Sequence, residues 1–373
     1  VIKNSLRVFT LFTSTAFAAT TQTTLIQVPV SFQEALAPQD TTSTSRFKEE
    51  YKSAIETSLS LLEGEIKKCG YEIKISHEFY GASDPLQARE RAAKAQNENT
   101  WLIVGPRRSN HYMLTSQGAE KTPSISTMAN ATTIFELGDL HLTLGTSNQK
   151  IAQSLTKIAK EKSKKTNPTY VSIVNEDCVF CLDLSAQFDS AANGFKKLSE
   201  IKVIGDLPDL NKITNELGTL KPDFILLPNY SKPSATVMAH LKDKLPKTFY
   251  LSGDGWGTDA FGFVQSGVNL EGAIGYSARG SIPSKDALKS FKAGRTLLKN
   301  PTAAKNFSDS NTTLAILKIL EGTADILCAK KPKTRDAFIS AFQSEARKYM
   351  QPTWGVGIYK LENANMSFYR VEK

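Results

Sequence analysis

Short apolar runs that stop at a turn residue alternate with longer amphipathic stretches along most of the chain, and that alternation limits the fold more than any other feature. Residues 24–30, 72–79, 101–104 and 124–127 read as strands. Between them, a Ser/Thr-rich loop over 31–45 leads into a long amphipathic helix ending near Lys68; helices follow over 84–97, with Asp84 and Pro85 at its start, and over 110–120. A short extended run (141–145) and a helix (148–162) lead to a second series, with strands at 169–174, 201–204, 224–227 and 248–251 and helices at 182–197, 211–217 and 234–244. Strands alternating with helices predict parallel sheets with right-handed crossovers. Two series divided near residue 145 predict two α/β lobes, and 373 residues suit two cores better than one. Beyond the second series, a Gly/Ala-rich segment (271–279) suits a crossing between lobes. Helices over 285–298, 311–328 and 334–349 follow, and two strands, 356–360 and 366–371, form a hairpin around Glu362-Asn363-Ala364-Asn365.

The second series runs into KTFYLSGDGWG, residues 247–257. Phe249, Tyr250 and Leu251 form a short buried strand, and Gly253 and Gly255 let the backbone turn as it ends. Asp254 is thus presented at a strand's carboxyl end, the edge of a parallel sheet where loops converge on a ligand crevice. The pattern recurs upstream: Trp101-Leu-Ile-Val104 ends at Gly105-Pro106, and Arg107-Arg108-Ser109-Asn110 opens a helix with Ser109 at its N-cap. These two strand ends are expected to face each other across a cleft, one from each lobe. A helix start offers N–H groups and partial positive charge to an anion, and a carboxylate opposite makes a charge-assisted hydrogen bond to a cation. Plainer roles stay open at this point: Ser109 as a cap alone, Asp254 as a turn residue, Tyr230 and Trp256 as packing residues, and Arg107 and Arg108 as solvated loop charges, the other reading of this pair being that one of them reaches an acidic group on the ligand.

The net charge of +9 would suit an acidic partner, but the basic residues are scattered. The one dense run, KIAKEKSKK at 157–165, ends a helix, where cations favour the dipole; no aromatic or arginine-rich pattern accompanies it, so a nucleic-acid partner is not expected. Residues 1–18 read as a secretory signal, with Lys3 and Arg7, a short apolar region from Val8, and Ala16-Phe17-Ala18 for cleavage. No later stretch approaches the ~20 apolar residues of a membrane span. In an oxidising compartment the four cysteines make at most two disulfides. Cys178 and Cys181 read as a local disulfide, as free thiols or as a redox pair; no second pair and no nearby histidine completes a metal set. Cys69 and Cys328 are then left to each other, which requires the end of the first long helix to pack on the helix at 311–328.

Enzyme signatures are missing. There is no P-loop lysine motif, no Gly-x-Ser-x-Gly, and no strand–Gly-x-Gly-x-x-Gly–helix; Ser154-Leu-Thr-Lys157 lies inside a helix without companion motifs. His77, His111, His141 and His240 form no metal-ligand spacing. No cofactor or metal is expected.

Four places, in this order and spacing, resemble the type I periplasmic binding proteins, in the branch of the leucine/isoleucine/valine receptors of ABC importers: Ile103-Val-Gly-Pro106 with Ser109; Thr122-Pro-Ser-Ile-Ser126 with Ala129-Asn130; Lys221-Pro-Asp-Phe-Ile-Leu-Leu227; and Leu251-Ser-Gly-Asp-Gly-Trp256. The resemblance implies two doubly wound parallel-sheet lobes joined by a three-segment hinge, crossing near Leu144, Ala273 and Tyr349. The N-terminal lobe would comprise residues 19–144 plus 278–349, and the C-terminal lobe 145–277 plus 350–373. By position, Ser109, Asn110, Ala129 and Asn130 match the set that holds an α-carboxylate, Asp254 the ammonium partner and Tyr230 an aromatic wall; Trp256 and Arg108 complete the expected ligand-binding residues. It further implies a periplasmic, monomeric protein with an ABC permease or a membrane sensor as partner. Three departures leave the ligand open between an α-amino acid, favoured by Asp254, and a short peptide, amide or aromatic acid: the loop Asp40-Thr-Thr-Ser-Thr-Ser45, the Cys178-Val-Phe-Cys181 stretch where a Tyr-Gly pair is common, and Asn130 where amino-acid binders place threonine. A sensing or protein-interaction module of the same fold is the alternative.

Overall fold

The computed structural model describes residues 25–36, 41–205, 208–256, 274–277, 288–289, 291–299, 311–350, 357–362 and 365–370. The expected signal sequence, Asp40 and the expected crossing at Ala273 lie outside the described residues.

Strand β1 (Ile26–Leu36) is the second strand of a five-stranded parallel sheet. It pairs along its whole length with β2 (Tyr71–Gly81), and on its other side with β3 (Leu102–Val104), after which come β4 (Ser124–Ser126) and β5 (His141–Thr143), giving the order β2-β1-β3-β4-β5. Residues 31–36 are therefore strand, not the expected loop, and helix α1 (Thr41–Lys68) begins sooner than expected. Composition misleads here because Ser31, Gln33 and Glu34 are polar yet buried. Pairing with β2 along the whole stretch, and with β3 at Ser31 and Phe32, engages their backbone groups, and tertiary context overrides the propensity signal.

One face of this sheet is covered by helices from two distant parts of the chain. Ile55, Leu62 and Ile66 of α1 share a core with Leu317, Leu320 and Leu327 of the late helix that spans Asn311–Lys330, and with Phe338 and Phe342 of the helix at Arg335–Tyr349. That late helix, pressed between these two, is apolar around most of its circumference. Cys69 and Cys328 lie at disulfide distance, their Cα atoms 5.2 Å apart, which is the packing that their pairing requires. Helices α2 (Leu86–Asn97) and α3 (Ser109–Gly118) lie between the successive strands.

The second sheet has the order β12-β11-β10-β9-β8-β6-β7, built from β6 (Thr169–Asn175), β7 (Lys196–Val203), β8 (Phe224–Leu226), β9 (Phe249–Ser252), β10 (Ile274–Ser277), β11 (Gly357–Glu362) and β12 (Asn365–Arg370). It is parallel from β10 to β7, with the β11–β12 hairpin added antiparallel at one edge. Alternate residues of β6 serve opposite faces: Val171 and Ile173 join a core with Ile213 and Leu217 of α6 (Leu210–Leu217) and Val237 and Met238 of α7 (Ser231–Leu241), whereas Tyr170 and Val174 join Leu155 of α4 (Asn148–Ser163) and Leu184 and Phe188 of α5 (Val179–Ala191). Burial on both faces explains why these strands read as continuous apolar runs. Helix α5 stops at Ala191, short of the expected Lys197, because the chain turns through Gly194 at φ +82° and enters β7 at Lys196. The basic run at 157–165 is the end of α4: Lys164 takes a left-handed cap at φ 54°, and Lys165 pairs with Asp223.

Candidate functional site

Loops leaving the carboxyl ends of β3 and β4 in the first sheet face loops leaving β6, β8 and β9 in the second. Between them lies a cleft of about 120 Å³, lined on one side by Arg107, Arg108, Ser109, Met128 and Asn130 and on the other by Phe180, Tyr230, Asp254 and Gly255. Parallel strands place their following loops at one edge, so residues far apart in sequence converge there.

On the first side, α3 starts at Ser109, and Arg108 holds the extended cap position (φ −80°, ψ 133°) without a side-chain cap bond. This corrects the expectation that Ser109 caps the helix. Its hydroxyl oxygen instead accepts the N–H groups of Asn130 and Ala131, both at 3.2 Å. Ser126 does the same one turn earlier, accepting from Met128 (3.3 Å) and Ala129 (3.0 Å) while donating to the Pro106 carbonyl at 2.7 Å. Two serines thus pin the loop after β4 to the loop after β3.

On the second side, Phe180 sits in the first turn of α5, where Cys178 and Cys181 lie at disulfide distance. Its ring stacks against Tyr230 with centroids 5.9 Å apart, and the Arg108 guanidinium reaches over from the first side to lie 4.9 Å from the same Tyr230 ring. Asp254 opens a 3-10 turn after β9, is only 8% exposed, and accepts the Asn130 amide N–H at 3.3 Å. Gly253 and Gly255 do not take left-handed conformations; Gly255 is needed because a Cβ would lie 2.8 Å from the Asn229 carbonyl oxygen.

Behind the cleft, Glu34 at the end of β1 is fully buried and accepts the backbone N–H groups of Ala35 (3.1 Å) and Arg107 (3.3 Å). The Arg107 guanidinium stands 3.6 Å from the same carboxylate and lies over the Phe47 ring at 4.5 Å. Burial pushes the Glu34 carboxyl above its ordinary value, and the positive charges of Arg107 and Arg108 oppose that rise. Outside the cleft, Asp183 of α5 accepts from Thr132 through its N–H (2.8 Å) and hydroxyl (3.1 Å), and from the Asn148 amide (2.8 Å).

No family model matches the sequence, and no curated protein matches it. Solved structures do match. The leucine-binding protein LivK of Thermotoga maritima aligns over 92% of this chain and 97% of its own, at 14% identity and a TM-score of 0.72. The solute-binding protein of an ABC transporter from R. palustris, solved in complex with 4-hydroxybenzoate, aligns over 93% of this chain and 96% of its own at 14% identity and a TM-score of 0.70. LivJ of Streptococcus pneumoniae, a branched-chain amino acid transporter substrate-binding protein solved with isoleucine, covers 92% and 99%, at 13% identity and a TM-score of 0.67. The chain has the type I periplasmic-binding-protein fold.

Within that fold the structure brings Arg108, Ser109, Asn130, Tyr230 and Asp254 together around one cleft. Three other expected residues do not line it. Trp256 is wholly buried in the core of the second sheet. Asn110 turns its carboxamide oxygen to His111, accepting from the backbone N–H at 3.0 Å and meeting the ring Nδ1 at 2.8 Å. Ala129 packs with Tyr112, Ala131 and Ile134. The sequence reading passed over Phe180, Met128 and Glu34. Phe180 lay inside the Cys178-Val-Phe-Cys181 stretch already set apart as unusual, and nothing in the sequence distinguished Glu34 from a loop carboxylate.

Proposed function

We propose that this chain is an extracytoplasmic solute-binding protein that captures a small amino-acid-like molecule in the cleft and delivers it to an ABC importer. The observation that carries the reading is the convergence of Arg108, Asn130, Phe180, Tyr230 and Asp254, from the loops of two separate sheets, on one cleft. Both charge signs, an amide and aromatic surface are what a small zwitterion with an apolar side chain requires. At about 120 Å³ the space is well below the ~300–1,000 Å³ of drug-sized sites, so a single amino acid or a comparable acid suits it and a peptide does not. Leucine and isoleucine, named for two structural neighbours, and 4-hydroxybenzoate, bound by a third, set the first panel. The ligand docks on the first-sheet side and draws Asp254 and Tyr230 in by hinge closure; no bond is made or broken, and the closed shape is the signal. A thermal-shift screen of purified protein against amino acids, amides, short peptides and aromatic acids tests this. Ligand at 100 times its Kd stabilises by about 2.7 kcal/mol. A panel without any shift would overturn the reading.

A further inference from the structure

We infer that a cavity beside the segment joining β5 to α4 is a second ligand site, that it takes a small monocarboxylate with an apolar body, and that its occupancy is coupled to the cleft. The inference goes beyond the solute-binding reading and does not depend on it.

The cavity has a volume of about 420 Å³, against about 120 Å³ for the cleft, and falls in the range of sites that enclose a small organic molecule. It lies along the outer edge of β5, the last strand of the first sheet. Ile125, Leu142, Leu144 and Met350 give it an apolar floor, none of them more than 8% exposed. Ile134 and Phe135, from the 3-10 helix at Thr132–Glu136, form one wall, and the Phe135 ring is exposed there. An apolar body seated in this space takes that surface out of water.

The charge on the walls has one sign. Lys150 is exposed and makes no ion pair among the described residues, whereas Arg347 is answered by Asp139. No carboxylate side chain lines the cavity among the described residues. His141, also on the wall, is only 9% exposed. Its Nδ1 meets the Ser124 hydroxyl at 2.9 Å, which in turn meets the Tyr112 hydroxyl at 2.9 Å. That chain occupies one ring nitrogen and leaves Nε2 without a hydrogen-bond partner among the described residues. A carboxylate answers both groups, accepting from the ring N–H and from the lysine ammonium. An amine would set a like charge beside Lys150, and a neutral head would leave that lysine unanswered.

The walls also come from the two places where the described chain leaves the first sheet for the second. Residues 144–147 run from β5 to α4, and Met350, after the helix at Arg335–Tyr349, is the last described residue before β11. The first of these segments is bonded to the loop that presents Asn130 to the cleft. Thr143 donates its hydroxyl to the Ala129 carbonyl at 2.6 Å, and the Asn148 N–H donates to the Asn130 carbonyl at 2.8 Å. Gly145 packs so closely between them that a Cβ would lie 2.5 Å from the Ala129 carbonyl oxygen. A ligand that fixes this segment biases how the two sheets are held, and that arrangement biases the ligand's affinity in return.

Titration calorimetry of the purified chain with 4-phenylbutyrate, 4-phenylbutanamide and 4-phenylbutylamine, one body with three heads, tests the site. The acid should bind, and the amine should bind at least about tenfold more weakly. Lys150→Gln should weaken the acid roughly three- to tenfold and, because the residue is exposed, leave the melting temperature at the wild-type value. The imidazole nitrogen resonances of His141, identified by their loss in His141→Gln, should shift as the acid is added. Small-angle scattering with saturating acid should give a radius of gyration different from that of the free protein. Absence of binding, equal binding of the three heads, or an acid that binds Lys150→Gln as it binds wild type would each overturn the site; the last is the result expected of an acid held in the cleft. Unmoved His141 resonances with the acid bound would overturn it too. An unaltered scattering curve with the acid bound would overturn the coupling. None of these readouts uses a ligand of the cleft, so failure here and failure of the solute-binding reading are told apart.

Discussion

Asn130 and Asp254 stand 124 residues apart in sequence and meet across the cleft, the amide of one donating to the carboxylate of the other at 3.3 Å. The bond joins the loop after the fourth strand of one sheet to the loop after β9 of the other, so the carboxylate is held at the rim by a neutral donor. A ligand ammonium that reaches Asp254 adds a charge-assisted hydrogen bond, worth about 1.5–3 kcal/mol in a site sheltered from water. Asp254→Ala should therefore lower the affinity for an amino-acid ligand by roughly 10–150-fold while leaving the far-UV spectrum and melting temperature near wild type. Unchanged affinity in that variant, measured by titration calorimetry, would remove Asp254 from ligand recognition.

Asp183 gives a second, ligand-independent link. It accepts from Thr132, which follows β4, and from Asn148, at the start of α4. Removing the shared acceptor takes the partner from the Thr132 donors, the Asn148 amide and Gln187, and with it the link between the loop after β4 and α5. Asp183→Ala should thus enlarge the radius of gyration of the unliganded protein in small-angle scattering and weaken ligand binding, because closure must then be driven by the ligand alone. A scattering curve identical to wild type would show that Asp183 contributes local packing only.

Acid should destabilise the fold well before the carboxylates titrate. Burial holds His111 at about 4, helped by the charge of Arg108, and burial alone holds His141 at about 4, both below the ordinary 6.5. His141 Nδ1 meets the Ser124 hydroxyl at 2.9 Å and His111 is fully enclosed, so each is folded in its neutral form. The unfolded chain binds these protons first. The stability that neutral histidines contribute is complete above pH 6.5 and is lost as pH falls towards 4, by roughly 3 kcal/mol for each site. Urea unfolding at intervals from pH 7.5 to 4 should show that decline, and His141→Gln should make it shallower. A stability flat across this range would contradict the burial assigned to both rings.

Much of this fold is legible in the sequence because central strands of both sheets, β3, β4, β6 and β8, are buried along their length, so that runs such as Phe224–Leu226 stand out against amphipathic helices. The strand-end rule alone then puts Ser109 and Asp254 at the same edge of their sheets. What escapes is whatever depends on contacts between segments. Residues 31–36 look like a hydroxyl-rich loop, and only pairing with β2 and β3 turns them into strand and buries Glu34 behind the cleft. Trp256 follows Asp254 so closely that it invites a place in the site, yet the 3-10 turn at Asp254–Trp256 carries its ring into the core. Ser109 has the composition of a cap, and a partner 21 residues away claims its oxygen.

The two cysteine pairs should behave differently when removed, because the chain they close differs so much in length. Cys69 and Cys328 are 259 residues apart and join α1 to the Asn311–Lys330 helix, whereas Cys178 and Cys181 are 3 apart within the first turn of α5. If the benefit is loop-closure entropy of the unfolded chain, the long loop stabilises by up to about 5 kcal/mol and the short one by about 2 kcal/mol. Cys69→Ser with Cys328→Ser should therefore lower the urea midpoint strongly with little effect on ligand affinity. Cys178→Ser with Cys181→Ser should lower it slightly but weaken binding, since Phe180 lies between those cysteines and forms the wall of the cleft against Tyr230. A thiol titration of the unfolded, unreduced wild-type chain should find no free sulfhydryl. Equal stability losses in the two variants would rule out the loop-length argument, and a ligand affinity untouched by the second would separate Phe180 from the pair that flanks it.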